Sequence, residues 1–348
     1  MKALFRTGAV ILYVLSLCLS GAAQQQAGAS PIQLDVVVTD KSGKPVPGLT
    51  QQDFTVLDNK HPANILAMHA HNAADVPLGK LDASTELIFV FDEANTTYEK
   101  TIYARQGIEN YLKQNNGQLD HPVSIALFTD KGLQVQTEPT IDGNALATAL
   151  EKQGQTYRAI DNGSVGGDFE RLQLSLNAVD TLIEQEGPKP GRKVVIWVSP
   201  GWPLISGLRD ILTTKQQQYI FDTAVRLSTD LRRARITFYS IDPRGAGGTG
   251  ERSVFYQNFT DGLTKLDNAA FGDLGLQVLV TQTGGRAIFG NDPIANSINH
   301  EVTDVSAYYT ITIDAAPAER PNQYHQIDIK MTPPGLKART RTGYYAQP

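Results

Sequence analysis

Two kinds of hydrophobic pattern follow one another along this chain. Near its start, IQLDVVVTD (32–40) alternates apolar and polar positions before the turn-rich DKSGKPVPG, the pattern of a strand with one face on a core. DFTVLDN and ANILAMHAH give two further strand-like runs, split by Asn59, Lys60 and Pro62. From Glu86 the runs change character. ELIFVFD (86–92), VSIALFT (123–129), RKVVIWVS (192–199) and ARITFYSID (234–242) are almost continuously apolar, as strands covered on both faces must be. Helical stretches separate them: one from Thr96 to about Asn115, then 144–152, 168–186 and about 215–234. Thr96 and Glu99 stand at capping-box spacing, which predicts Thr96 as a helix cap. A short edge strand (133–137), a helix over about 267–282, a short strand (286–289) and a last helix opened by Asp292-Pro293 complete this part. After Ser306 the chain returns to strands in SAYYTITID, YHQIDIKM and LKARTRTGYY.

Strands alternating with helices predict an α/β fold, a doubly wound and mostly parallel sheet. The β-rich ends, at roughly 45 residues each, are too small to hold separate cores without disulfides or metal. The expected architecture is therefore an α/β domain over residues 84–304 inserted in a β-sandwich formed by the N- and C-terminal segments, 24–75 and 305–348.

Residues 1–23 read as a signal peptide. Lys2 and Arg6 precede an apolar run from Gly8 to Leu19, and Ser20, Gly21, Ala22 and Ala23 offer a cleavage site before Gln24. That run is too short to span a bilayer, so the expectation is an exported protein, periplasmic or extracellular, with no stable membrane span after cleavage. Cys18 is the one cysteine, so the mature chain has no disulfide, zinc–thiolate site or cysteine nucleophile. Leu15, Ser16 and Leu17 before it disfavour lipidation. With 31 Lys and Arg against 36 Asp and Glu, the net charge of −5 argues against a nucleic-acid partner.

The order of motifs carries a resemblance. VVVTDKSGKPVPGLTQQDFTVLDN, FDEANT, ARQGIENYL, VSIALFT, GRKVVIWVSPGWP, ARITFYSIDPRG, TGGRAIF and GLKARTRTGYYA together span almost all of the mature chain. In these stretches the sequence resembles the von Willebrand factor A-like domains, and more closely the exported von Willebrand factor A-related family of acidobacteria. The resemblance implies a Rossmann-type sheet with a ligand site at the carboxyl edge of its strands. It also implies a metal-ion-dependent adhesion site, in which an Asp-x-Ser-x-Ser loop, a Thr and a further Asp hold Mg²⁺ and leave one position for a partner's carboxylate. Residue by residue the match is degenerate. Asp92 matches the first Asp, Ala94 brings no oxygen where the first hydroxyl belongs, Thr96 matches the second hydroxyl, and Asn95 stands one position out of register. Ser199 replaces the Asp expected after the fourth strand, and Thr156 and Ser164 are among the candidates for the second-loop hydroxyl. The implied cation set is thus Asp92, Asn95, Thr96 and Ser199, for Mg²⁺, Ca²⁺ or Mn²⁺. The plainer reading has Asp92 accepting from loop amides and Thr96 capping the helix.

Other residues were weighed for chemistry. The loop Arg244-Gly245-Ala246-Gly247-Gly248-Thr249-Gly250 lacks the Gly-Lys-Ser/Thr ending of a phosphate cradle and reads as a loop shaping a partner surface. A second glycine-bearing loop is expected over 161–168. His69 and His71 share a strand face without a third ligand, and His61, His121, His300 and His325 are assigned no chemistry. There is no Gly-x-Ser-x-Gly or His-Glu-x-x-His motif, and Pro200 after Ser199 removes an N–H that an oxyanion hole would use. Arg232, Arg233 and Arg235 suit a helix C-terminus. Lys337, Arg339 and Arg341 read as a solvated strand face, and Tyr308, Tyr309, Tyr344 and Tyr345 as half-buried sandwich residues. The expected function is a non-enzymatic, adhesion-type binding module for a protein or cell-surface polymer. Its partner rim is expected to hold Glu93, Gly201, Asp242 and Arg244 beside the cation set. A structural part of an envelope or secretion assembly, or a hydrolase of unknown substrate, are the alternatives.

Overall fold

The computed structural model describes residues 31–72, 85–135, 138–152, 165–203, 212–244 and 254–348. Residues 1–23, expected to be a signal peptide, the 245–250 loop, residues 161–164, and Thr156 lie outside the described residues. No described helix is long and apolar enough to cross a membrane.

The fold is a mixed α/β arrangement with one mostly parallel sheet and two antiparallel sheets. The parallel sheet has seven strands: β5 (Thr85–Asp92), β6 (Gln118–Thr129), β7 (Gly132–Val135), β8 (Thr140–Asp142), β9 (Arg192–Val198), β10 (Ile236–Ile241) and β11 (Ala287–Ile288). Its order is β11-β10-β9-β5-β6-β7, with β8 also on β6; only β7 and β8 pair antiparallel. The continuous apolar runs are what a doubly covered sheet requires, and the structure places them so. Ile88, Val90, Val195, Trp197 and Phe238 point to one core, and Leu87, Phe89, Phe91, Val194, Ile196 and Tyr239 to the other. Helices α1 (Tyr98–Leu112), α2 (Gly143–Lys152) and α6 (Ile294–Ser306) cover the second face. Helices α3 (Val165–Glu186), α4 (Thr214–Arg233) and α5 (Leu276–Gln282) cover the first.

Strands from the two chain ends form the antiparallel sheets. Strands β1 (Ile32–Thr39), β4 (Ile65–Asn72), β12 (Ala307–Ile313) and β14 (Lys337–Arg339) make one, ordered β14-β1-β12-β4. Strands β2 (Phe54–Asp58), β3 (His61–Pro62), β13 (Gln323–Met331) and β15 (Gly343–Ala346) make the other, ordered β15-β13-β2-β3. Leu34, Val36 and Val38 of the first share a core with Phe54, Val56, Ile327 and Tyr344 of the second. The period-two alternation at 32–38 is the cause: every second residue faces inward.

Several local expectations are corrected. Helix α1 is entered through Thr97, not Thr96, and α3 starts at Val165 rather than after a loop ending at Asp168. The helix expected over 267–282 is two 3-10 turns (Leu266–Asn268, Phe271–Leu274) followed by α5, because Gly275 is extended (φ −74°, ψ 149°) and restarts the chain there. The four tyrosines are buried, each at 6% exposure or less, and their hydroxyls are engaged. Tyr309 donates to Val46 O at 2.7 Å, Tyr344 donates to Asp58 Oδ2 at 2.6 Å, Tyr345 accepts from Leu263 N, and Tyr308 accepts from Thr85 Oγ1.

The largest correction concerns the basic residues. Arg339 and Arg341 are not a solvated face; they join the antiparallel strands to the α/β part. Arg339 donates to Asp304 and to Gly284 O, and Asp304, fully buried, also accepts from the Tyr239 hydroxyl at 2.7 Å. Arg286 approaches the same carboxylate at 3.3 Å. Arg235, in the left-handed region at φ 56°, pairs with Asp35 at 2.6 Å, and Arg192 lies over the Tyr308 ring. Thr85, Arg192 and Arg235 stand where β5, β9 and β10 begin, so the amino ends of the parallel strands rest on the antiparallel sheets. The carboxyl ends are left for other use.

Candidate interaction site

Adjacent strands β10, β9 and β5 end in register, with Ile241 and Phe91 both opposite Val198. The turns that follow them are therefore neighbours, as the crevice rule for open sheets expects. Backbone bonds stitch them together: Glu93 N donates to Phe128 O at 2.8 Å, Ser199 N to Ile241 O at 3.0 Å, and Asp242 N to Ile288 O at 3.0 Å. Asp92, Glu93, Asn95, Thr96, Ser199, Gly201, Asp242 and Arg244 thus stand on neighbouring turns of one rim.

Asp92 is the centre of it, 2% exposed. Its Oδ2 accepts from the Trp197 indole Nε1 at 2.9 Å, and its Oδ1 from the Asn95 backbone N–H at 2.9 Å. The Asn95 side-chain Nδ2 donates to both oxygens, at 3.3 and 3.1 Å, and to Ser175 Oγ at 3.0 Å. Burial raises the Asp92 carboxyl above the ordinary carboxylate range, with these donors opposing it. The loop-amide role expected for Asp92 is what the structure shows; the capping role of Thr96 is not, since Thr96 is buried and its Oγ1 makes no hydrogen bond.

A second carboxylate is held the same way. Asp242, 5% exposed, accepts from Arg244 N at 2.9 Å and from the Arg244 guanidinium at 3.0, 3.2 and 2.6 Å. Arg244 also reaches Pro200 O at 3.5 Å, linking the turns after β10 and β9. Gly201, at φ 98°, makes the sharp Pro-Gly turn that a side chain would strain, and its N–H donates to Ser199 Oγ at 3.1 Å. Glu93 faces Arg105 at 3.8 Å, and burial raises its carboxyl despite that guanidinium.

These contacts decide how the residues fit a cation. Mg²⁺ or Ca²⁺ needs several convergent oxygens. Here both Asp92 oxygens are turned to N–H donors, the Asn95 amide nitrogen occupies the bridging place before the carboxylate, and Ala94 supplies nothing. Among the described residues no group of three or more His, Cys, Asp or Glu could hold a metal ion. Glu93 Oε2, Asn95 Oδ1 and Thr96 Oγ1 are buried without a donor, but the anchoring carboxylate is already satisfied. The set does not fit a bound cation.

Exposure divides the rim. Asp92, Glu93, Thr96, Ser199, Gly201 and Asp242 are buried and brace the turns, whereas Asn95 and Arg244 are half-buried. Just beyond, Tyr98 and Ile102 lie one turn apart on α1, 48% and 39% exposed. Sequence reasoning missed Trp197 and Ser175, which complete the Asp92 network. A tryptophan in a buried strand was the available signal, because its indole N–H needs an acceptor. His71, instead of offering a ligand pair with His69, stacks on Tyr308 at 4.3 Å and meets Thr310 Oγ1 at 3.0 Å.

No protein-family model and no curated protein matches the sequence. Among solved structures, the human COPII-coat protein Sec24c is similar over 80% of this chain at 8% identity, TM-score 0.35. The pilus adhesin SpaC of Lactobacillus rhamnosus GG is similar over 87% at 10% identity, TM-score 0.39. The PilB minor pilin of Streptococcus sanguinis is similar over 67% at 9% identity, TM-score 0.32. The chain spans 46%, 49% and 64% of those three proteins. Likeness at this level leaves the site to be read from its own geometry.

Proposed function

We propose that this chain is an exported, non-enzymatic binding module of the von Willebrand factor A-like class, closest to the acidobacterial von Willebrand factor A-related proteins. It recognises a protein or cell-surface polymer through the turns at the carboxyl edge, and does so without a bridging cation. The observation that supports this best is the Asn95 amide on Asp92. It donates where a cation would bind, as the Arg244 guanidinium does for Asp242, so the oxygens of Asp92 and Asp242 are met from within the chain. The α/β part set between the strands of the two chain ends fits the same reading. So does Ser199: at 0% exposure, with its hydroxyl accepting from Gly201 N, it is not open to a substrate. Contact with a partner falls to Arg244, Asn95 and the exposed Tyr98 and Ile102, a mixture of guanidinium and aromatic surface common in protein interfaces.

Cosedimentation of the mature protein with envelope fragments from its source organism tests this. Retention should persist in chelator and fall about tenfold in Arg244→Glu combined with Tyr98→Ala, as for the loss of interface anchors. Retention abolished by chelator, or unchanged in the double variant, would overturn the proposal.

A further inference from the structure

A second site lies away from the rim, where the segment between β10 and α5 faces the C-terminal strands. Residues 258–264 on one side and 338–342 on the other enclose a cleft of about 820 Å³, within the roughly 300–1,000 Å³ usual for ligand sites. Its lining is dominated by neutral polar groups. Asn59, Asn258, Asn268 and Gln326 present side-chain amides, and the Tyr324 hydroxyl is hydrogen-bonded to Thr342 Oγ1 at 3.0 Å.

Two buried charged side chains line the same cleft with bonding capacity unused. Asp273 is 5% exposed; its Oδ2 accepts from Ala270 N at 2.8 Å, and its other oxygen has no partner among the described residues. Arg341 is 7% exposed; its Nη1 donates to Ser228 O at 3.3 Å, and its remaining N–H groups have no acceptor among them. No ion pair joins the two. Both also border a narrow recess lined by Ala224, Leu227, Leu231 and Leu274 together with Ser228, Gln282 and Thr283, of which only Ser228 O bonds Arg341. These groups line the cleft instead of being sealed beneath it, so a ligand entering the cleft can take up their free valences. That ligand must accept from a guanidinium and donate to a carboxylate within one small space. A hydroxyl does both, whereas an anion would be repelled by Asp273 and an apolar molecule would leave the amides unbonded.

We propose that this cleft binds a saccharide of one to a few units, seated with vicinal hydroxyls between Asp273 and Arg341 and with further hydroxyls on the amides. The site is distinct from the rim and does not depend on it.

The test is saturation-transfer NMR on the mature wild-type protein. The panel is glucose, galactose, N-acetylglucosamine, glucuronate and their β-linked disaccharides, each at on the order of 10 mM, with inorganic phosphate and acetate alongside. At least one saccharide should give transfer. Asp273→Asn, which keeps the bond to Ala270 N, and Tyr324→Phe should each weaken it about tenfold, the value of one hydrogen bond to a charged or buried group. An Arg244→Ala control at the rim should leave it unchanged. Hydrogen exchange on the wild type needs no variant to fold: the bound sugar should protect 258–264 and 338–342. Silence across the panel, binding of phosphate or acetate alone, affinity untouched in both cleft variants, or protection confined to other segments would overturn the proposal.

Discussion

Replacing Asn95 isolates one amide group at the centre of the rim. Its Nδ2 serves both Asp92 oxygens and Ser175 Oγ, and Asp92 is too buried for water to take its place. A hydrogen bond to a charged group is worth about 1.5–3 kcal/mol net, and Trp197 and the backbone keep the carboxylate partly satisfied. Asn95→Ala should therefore cost about 2–3 kcal/mol near pH 8. The pH dependence follows from the sign of the Asp92 shift. Burial raises its folded value, so the folded chain holds that proton more tightly than the unfolded one. The stability it confers is present at low pH and lost as pH rises through the folded value. Removing the amide raises that value further, so the gap between variant and wild type should be narrow near about pH 4.5 and widen towards pH 8. Asn95→Asp is the companion change. It sets a second carboxylate against the first, should cost more than alanine in chelator, and should be partly rescued by Mg²⁺ where the wild type is not. Urea unfolding followed by the fluorescence of Trp197 and Trp202 reads all three. Equal stability of Asn95→Ala and wild type at pH 8, or an equal Mg²⁺ response in wild type and Asn95→Asp, would refute the reasoning.

Three further outcomes are expected. Burial pushes the Asp273 carboxyl up to about 7, so its protonated form supports the fold below its unfolded value of 3.8 and that support is lost as pH rises through 7. In denaturation series, Asp273→Asn should match wild type near pH 4 and exceed it at pH 8 by up to about 4 kcal/mol; a constant difference would contradict this. Asp304→Ala strips Arg339 and Arg286 of a buried counter-charge and should lower stability by about 3–5 kcal/mol in urea titration, against the near-neutral effect expected for an exposed pair such as Lys113–Glu151. Trp197→Phe removes the indole donor to Asp92 and leaves a cavity beside Phe128, Trp202 and Phe238; a loss of at least about 1.5–3 kcal/mol at pH 8 is expected, and none would mean that bond carries little.

The local parts of this fold were legible in the sequence and the long-range parts were not. Runs such as 86–92 and 192–198 show a strand buried on both faces within seven or eight residues, and the alternation at 32–38 shows one buried on a single face. The Asp92 turn could be located because it closes such a run. What its neighbours do was hidden. Asn95 reads as a residue out of register until Ser175 and Trp197, 80 and 102 positions away, are brought beside the turn. Arg339 and Arg341 alternate with Ala338 and Thr340 as a solvated strand would; only the arrival of Asp304, Gly284 and Ser228 from the α/β part shows Arg339 half-buried and Arg341 buried. The spacing of Thr96 and Glu99 fitted a cap, but the chain turns into α1 one residue later, so Thr96 goes inward. Gly272 and Gly275 were visible breaks in 267–282 that the apolar spacing outweighed.

The central claim is that the Asp92 and Asp242 carboxylates are satisfied by the chain's own donors. Calorimetric titration of the mature wild-type protein with Mg²⁺, Ca²⁺ and Mn²⁺ at neutral pH, beside Asp92→Ala, tests it most directly. The claim predicts no saturable heat from any of the three ions in either protein. A stoichiometric binding isotherm in the wild type that disappears in Asp92→Ala would contradict it.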